Sequence, residues 1–108
     1  MSNEVPYPDL YDPNGKAPYE HWFRTLRNRQ VRAIILQRID RVRRGNLGDC
    51  KNLGGGIYEL RLHIGPGYRV YFGLHGQMIV LLLCGGDKGT QDRDIEAARD
   101  YWREYNQR

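Results

Sequence analysis

Two spacings of apolar residues alternate along this chain. Tyr19, Trp22, Phe23 and Leu26 follow Pro18 at helical steps, and Val31, Ile34, Ile35, Ile39 and Val42 repeat the three-and-four step over a second segment ending near Gly45. The period then drops to two. In IYELRLHI, Tyr58, Leu60, Leu62 and Ile64 alternate with Ile57, Glu59, Arg61 and His63; in YRVYFGL, Tyr68, Val70, Phe72 and Leu74 alternate with Arg69, Tyr71 and Gly73. The Gly-Pro-Gly at 65–67 predicts an antiparallel hairpin in which Ile64 pairs with Tyr68, which sets His63 opposite Arg69 and Arg61 opposite Tyr71. The run MIVLLLC, 78–84, is apolar throughout, as in a strand covered on both sides. Ile95, Ala98, Tyr101 or Trp102, and Tyr105 mark a last helix.

With Val5 to Tyr11 as a short edge strand, the predicted order is β-α-α-β-β-β-α. This is an α+β domain filling residues 1–108: an antiparallel meander with a helical hairpin on one face and a C-terminal helix. The helices are expected against one sheet face, which leaves Arg61, His63, Arg69 and Tyr71 as a polar patch on the open one. Trp22, Phe23, Trp102 and Tyr105 sit at helical spacing and are expected in the core rather than on a base-stacking surface.

Charge sharpens the picture because it is uneven. Between Arg24 and Arg69 eleven basic side chains face three acids, and 14 of the chain's 17 basic residues are arginine. The guanidinium fork matches phosphate and carboxylate geometry, so a polyanion or an acidic protein is the expected partner; a solvated helix face is the plainer reading of the same charge. No apolar run is long enough for a membrane span and no signal peptide opens the chain, so a cytoplasmic protein is expected. Cys50 and Cys84 have no metal-ligand spacing and read as small apolar fillers.

The candidate chemistry follows from the strands. Arg61 and Arg69 share a face, and Lys88 leaves the last strand in the glycine-flanked loop GGDKGT, which opens a helix whose free N–H groups attract anions. The loop lacks the Gly-Lys-Thr order of a phosphate-binding P-loop. No metal or cofactor is expected, so RNA cleavage by side chains alone is the available phosphate chemistry. It needs cations for the charge on the phosphorane, a role for Arg61, Arg69 and Lys88, and proton transfer, for which His63, Tyr71 and Asp94 are candidates. Lys51, Arg41 and Arg44 from the basic stretch, with Tyr71, are candidates for RNA contact.

These residues carry a resemblance. GNLGDCKNLGGGIYELRLHIGPGYRVYF followed by LLLCGGDKGTQDRDIEAA resembles the addiction-module killer proteins of the RelE/ParE toxin superfamily, close to the HigB type, and YDPNGKAPYEHWFRTLRNRQVRAIILQRIDRVRRGN is similar to that group's N-terminal half. The resemblance implies the toxin of a type II toxin-antitoxin module with a RelE-like fold, silenced by a helix-turn-helix, HigA-like antitoxin in an oligomer, a heterotetramer among the forms. It implies a metal-independent endoribonuclease that cuts mRNA on the ribosome, with Arg61, Arg69 and Lys88 at basic positions of the nuclease pattern. Glu59 stands where RelE is basic and Asp94 near its catalytic tyrosine, so either His63 or Asp94 would act as base or proton transfer matters less than positioning. A ParE-like gyrase inhibitor and a non-toxic co-repressor are the alternatives.

Overall fold

The computed structural model describes residues 17–75 and 79–107. Among the described residues two helices come first, α1 (Pro18–Thr25) and α2 (Arg29–Arg43). Pro18 sits in the first turn of α1, where its missing N–H leaves nothing unsatisfied. Asn28 caps α2, its Oδ1 accepting from the backbone N–H of Gln30 at 2.9 Å and of Val31 at 3.1 Å. Four strands follow: β1 (Cys50–Gly54), β2 (Ile57–Leu62), β3 (Tyr68–His75) and β4 (Ile79–Asp87). A 3-10 turn at Lys88–Thr90 then leads into α3 (Gln91–Asn106). The expected strand at Val5 to Tyr11 lies outside the described residues.

The strands form one antiparallel sheet in the order β1-β2-β3-β4. Three features differ from the expectation. β1 pairs with β2, although only Cys50 and Leu53 of its five residues are apolar, too few to make a period. The β2–β3 register is Leu62 with Tyr68, Arg61 with Arg69 and Glu59 with Tyr71. The expected pairing of Ile64 with Tyr68 fails because a β-turn closes one step earlier, the N–H of Gly67 donating to the carbonyl of Ile64 at 2.9 Å. β4 runs on through Gly85 and Gly86 to Asp87 rather than ending at Cys84.

Each face of the sheet has its own core. On one, Tyr19 of α1 and Ile35, Ile39 and Val42 of α2 pack on Leu60, Leu62, Val70, Phe72 and Leu82. On the other, Ala98 and Trp102 of α3 pack on Ile57, Tyr71, Leu81, Leu83 and Cys84. A bulge between Tyr71 and Phe72 shifts the β3–β4 register, so Leu83 and Cys84 both join the α3 side. The face expected to be open is therefore half covered by α3, and only its end nearest the β2–β3 turn is left for a site. β4 is apolar on both sides because α1 and α3 flank it, and among the described residues it is an edge strand. No helix of the described residues is long and apolar enough to cross a membrane.

Candidate functional site

Register places Arg61 directly opposite Arg69 and Arg69 opposite Gly86, so a row across β2, β3 and β4 carries both guanidinium groups on the α3 side. Arg69 is 8 % exposed and Arg61 29 %. Between them and the core lies Glu59, fully buried. Its Oε1 accepts from Arg61 Nε at 2.8 Å, and its Oε2 from the Tyr71 hydroxyl at 2.9 Å and Gln91 Nε2 at 2.8 Å. Arg69 Nε stands 4.0 Å from Oε1 and makes no hydrogen bond, while its Nη1 donates to the carbonyls of Gly67 and Tyr68 at 3.3 and 3.2 Å.

Burial pushes the Glu59 carboxyl upward, but hydrogen bonds from Arg61, Gln91 and Tyr71 and the charge of Arg61 outweigh it and hold the group below its ordinary range. The bond to Glu59 in turn raises Arg61. Burial first, then Glu59, pushes the Tyr71 phenol far up. Tyr71 is therefore neither a proton-transfer group nor an RNA contact, as the alternation had suggested: it is fully buried and serves Glu59.

Lys88 joins the arginines. A Cβ placed on Gly67 would lie 3.4 Å from Lys88 Cβ and 3.6 Å from Arg69 Nη1, so the bare backbone of Gly67 separates the stem of Lys88 from the Arg69 guanidinium. Lys88 is exposed and lines a cleft of about 370 Å³ with Gly89, Thr90, Gln91, Asp92 and Arg93. The start of α3 differs from the expected free anion cradle. Asp87 Oδ1 accepts from the N–H of Gly89 at 2.7 Å, and Asp92 and Asp94 occupy the first turn, so carboxylates already answer the helix dipole there. Asp94 accepts from the Thr90 hydroxyl and packs against Gly86, where a Cβ would come within 1.9 Å of its Oδ2.

His63 lies one residue past β2, exposed and paired with Asp49 at 2.5 Å. The carbonyl of Asp49 also accepts from the N–H of Arg61 at 3.0 Å, which fixes the pair beside that arginine. A carboxylate on one imidazole nitrogen leaves the other for proton transfer. Lys51 is exposed on β1 with Glu59 as its cross-strand neighbour, and so extends the basic face. Arg41 and Arg44 do not join it: α2 carries them over the opposite face, with Arg44 bonded to Asp40 at 3.1 Å. Among the described residues no cluster of His, Cys, Asp or Glu could hold a metal ion.

Asp49 and Glu59 are the residues that sequence reasoning missed. The register supplies Glu59, since an acid at the same strand parity as two arginines is their natural counter-ion. Asp49 sits in a stretch with no period and left no such mark.

Fold and site together define a small α+β protein with a cationic cluster on a sheet whose other face is capped by helices. Residues 21–103 match the family described as phage derived protein Gp49-like (DUF891), and the chain belongs to that family, a RelE/HigB-like group associated with the toxins of toxin-antitoxin systems. Membership implies an antitoxin partner. An uncharacterized protein of Haemophilus influenzae is 47 % identical over 81 residues, 75 % of this chain and 82 % of that protein. No solved structure matches the chain significantly.

Proposed function

We propose that this chain is the toxin of a type II toxin-antitoxin module, close to the HigB type, and acts as a metal-independent endoribonuclease on mRNA held by the ribosome. The observation that carries the reading is that Arg61 stands opposite Arg69 across the strands while Arg69 and the stem of Lys88 flank Gly67. Cleavage by ribose 2′-hydroxyl attack builds negative charge on the phosphorane oxygens, and fixed cations at that point lower the barrier. Arg61 and exposed Lys88 contact the scissile phosphate; Arg69, mostly buried, braces the cluster from beneath. His63, oriented by Asp49, takes the 2′-hydroxyl proton, and Asp94 is the second candidate for proton transfer. Lys51 continues the track for the RNA backbone, while Arg41 and Arg44, on the far layer, suit ribosomal RNA. A helix-turn-helix, HigA-like antitoxin silences the toxin in an oligomeric complex, a heterotetramer among the forms.

The test is in vitro translation with the purified protein, read by primer extension, beside the Lys88→Ala and Arg61→Ala variants. Wild type is expected to cut mRNA within the translated region, and each variant to lose at least about tenfold of that activity. Intact mRNA alongside gyrase-linked DNA breaks in expressing cells would reverse the reading in favour of a ParE-like inhibitor. Full tolerance of the protein without its antitoxin would favour the co-repressor.

A further inference from the structure

Glu59 does something the cationic cluster alone does not explain. Among the described residues two charged side chains are buried, and they are Glu59 and Arg69. Stability is a poor account of the arrangement, because well-packed apolar side chains in place of a buried ion cluster are often neutral or stabilising. A carboxylate can, however, set direction. Glu59 holds Arg61 by Nε, the nitrogen nearest the aliphatic stem. This leaves the two terminal nitrogens of Arg61 without a hydrogen-bond partner among the described residues, on a side chain 29 % exposed. The same carboxylate stands 4.0 Å from Arg69 Nε and is tied by Gln91 to the first turn of α3, directly after the turn that carries Lys88.

We propose that Glu59 is a positioning residue: its buried carboxylate fixes Arg61 and Arg69 relative to each other and to the Lys88 turn, and aims the free end of Arg61 at an RNA phosphate. The proposal rests on the nuclease reading for the identity of the reaction, and on the structure alone for the clamp. It makes a prediction opposite to that of a fold-stabilising residue. Removing one negative charge beside three cations strengthens attraction for RNA, while freeing Arg61 lets it sample directions that do not fit the transition state.

Glu59→Gln is therefore expected to lower turnover roughly 10- to 100-fold while RNA affinity stays level or rises. An amide has one acceptor oxygen for three donors, so this variant is paired with Gln91→Ala, which removes a single donor at the half-buried start of α3. Gln91→Ala is expected to show the same split, smaller, with a fall in melting temperature of several °C at most, and with affinity level despite that fall. Two measurements are made: cleavage in the translation assay, and binding of an RNA oligonucleotide 2′-O-methylated throughout, followed through the arginine Nε–H signals by NMR. In wild type the Arg61 Nε–H is expected to be shifted and slowly exchanging; in Glu59→Gln it is released. Wild-type turnover in both variants, or arginine signals unaltered by Glu59→Gln, overturns the proposal. A parallel loss of affinity and turnover that tracks a falling melting temperature overturns it as well. If wild type binds the oligonucleotide through Arg61 yet cleaves nothing, the nuclease reading fails and the clamp stands as a determinant of RNA binding.

Discussion

Gly73→Ala is the sharpest test of how α3 is held over the site. A Cβ on Gly73 would sit 2.1, 2.2 and 2.6 Å from three carbons of the Trp102 ring, against about 3.5–4.0 Å for unstrained carbon contacts. Trp102 cannot yield easily. It is 5 % exposed, its Nε1 donates to the carbonyl of Gly55 at 2.7 Å, and its ring stacks on Tyr105 with centroids 5.7 Å apart. Expelling the indole forfeits the burial of a large aromatic, about 3–5 kcal/mol by analogy with truncating one, together with a hydrogen bond of about 1 kcal/mol. Partial accommodation by overpacking still costs about 1–3 kcal/mol. In a domain of this size each kcal/mol lowers the melting temperature by roughly 4–8 °C, so a fall of at least about 4 °C is expected, and of about 16 °C or more if the indole is expelled. Trp102 also anchors the helix whose Gln91 reaches Glu59, so the Arg61 Nε–H signal is expected to move as well. The assay is thermal unfolding followed by circular dichroism. A melt within about 3 °C of wild type would refute the packing argument, because even partial accommodation of the methyl group displaces Trp102 at a cost above that.

Three further outcomes follow from the same contacts. Asn28→Ala removes the acceptor for the Gln30 and Val31 N–H groups, and is expected to destabilise by about 1 kcal/mol, read from the urea midpoint at constant m. Because Glu59 is held below its ordinary value of 4.5, its contribution to stability is present above about pH 4.5 and lost as pH falls through the folded-state value. Urea midpoints between pH 3 and 7 should show that loss, and Glu59→Gln should flatten it. Burial pushes Cys50 up to about 11 and Cys84 to about 12, so a thiol reagent at pH 7.5 is expected to react slowly with the native protein and fast in urea; rapid native labelling of Cys84 would contradict its burial.

The helices were legible because their signal is local. Tyr19, Ile35, Ile39 and Val42 fall on the buried stripes that the three-and-four step marks, and Ala98 and Trp102 do the same for α3. Strand parity likewise put Arg61 and Arg69 on one side of the sheet. Ile34 shows the limit: it lies on the predicted stripe of α2 yet is 38 % exposed, because a helix packed on a twisted sheet buries a narrower arc than its apolar residues span. β1 escaped notice because a five-residue edge strand ending in glycine needs little apolar content to pair. The open face expected under the arginines was an error of the same origin. The stripe on α3 says that it is buried but not against which side of the sheet.

The chain's period, parity and charge alone determined that helices and an antiparallel ribbon form, and that Arg61, Arg69 and Lys88 belong to one end of one sheet. Only the tertiary structure decided that α3 covers that face, that the turn at Ile64 to Gly67 sets Arg61 against Arg69 rather than against Tyr71, and that Glu59 and Tyr71 lie beneath them. The physical reason is range. Amphipathic period and turn chemistry act between residues a few positions apart, whereas register and the choice of buried face are settled by pairing and packing between segments tens of residues apart, where a one-step slip leaves the local pattern unchanged and rebuilds the site.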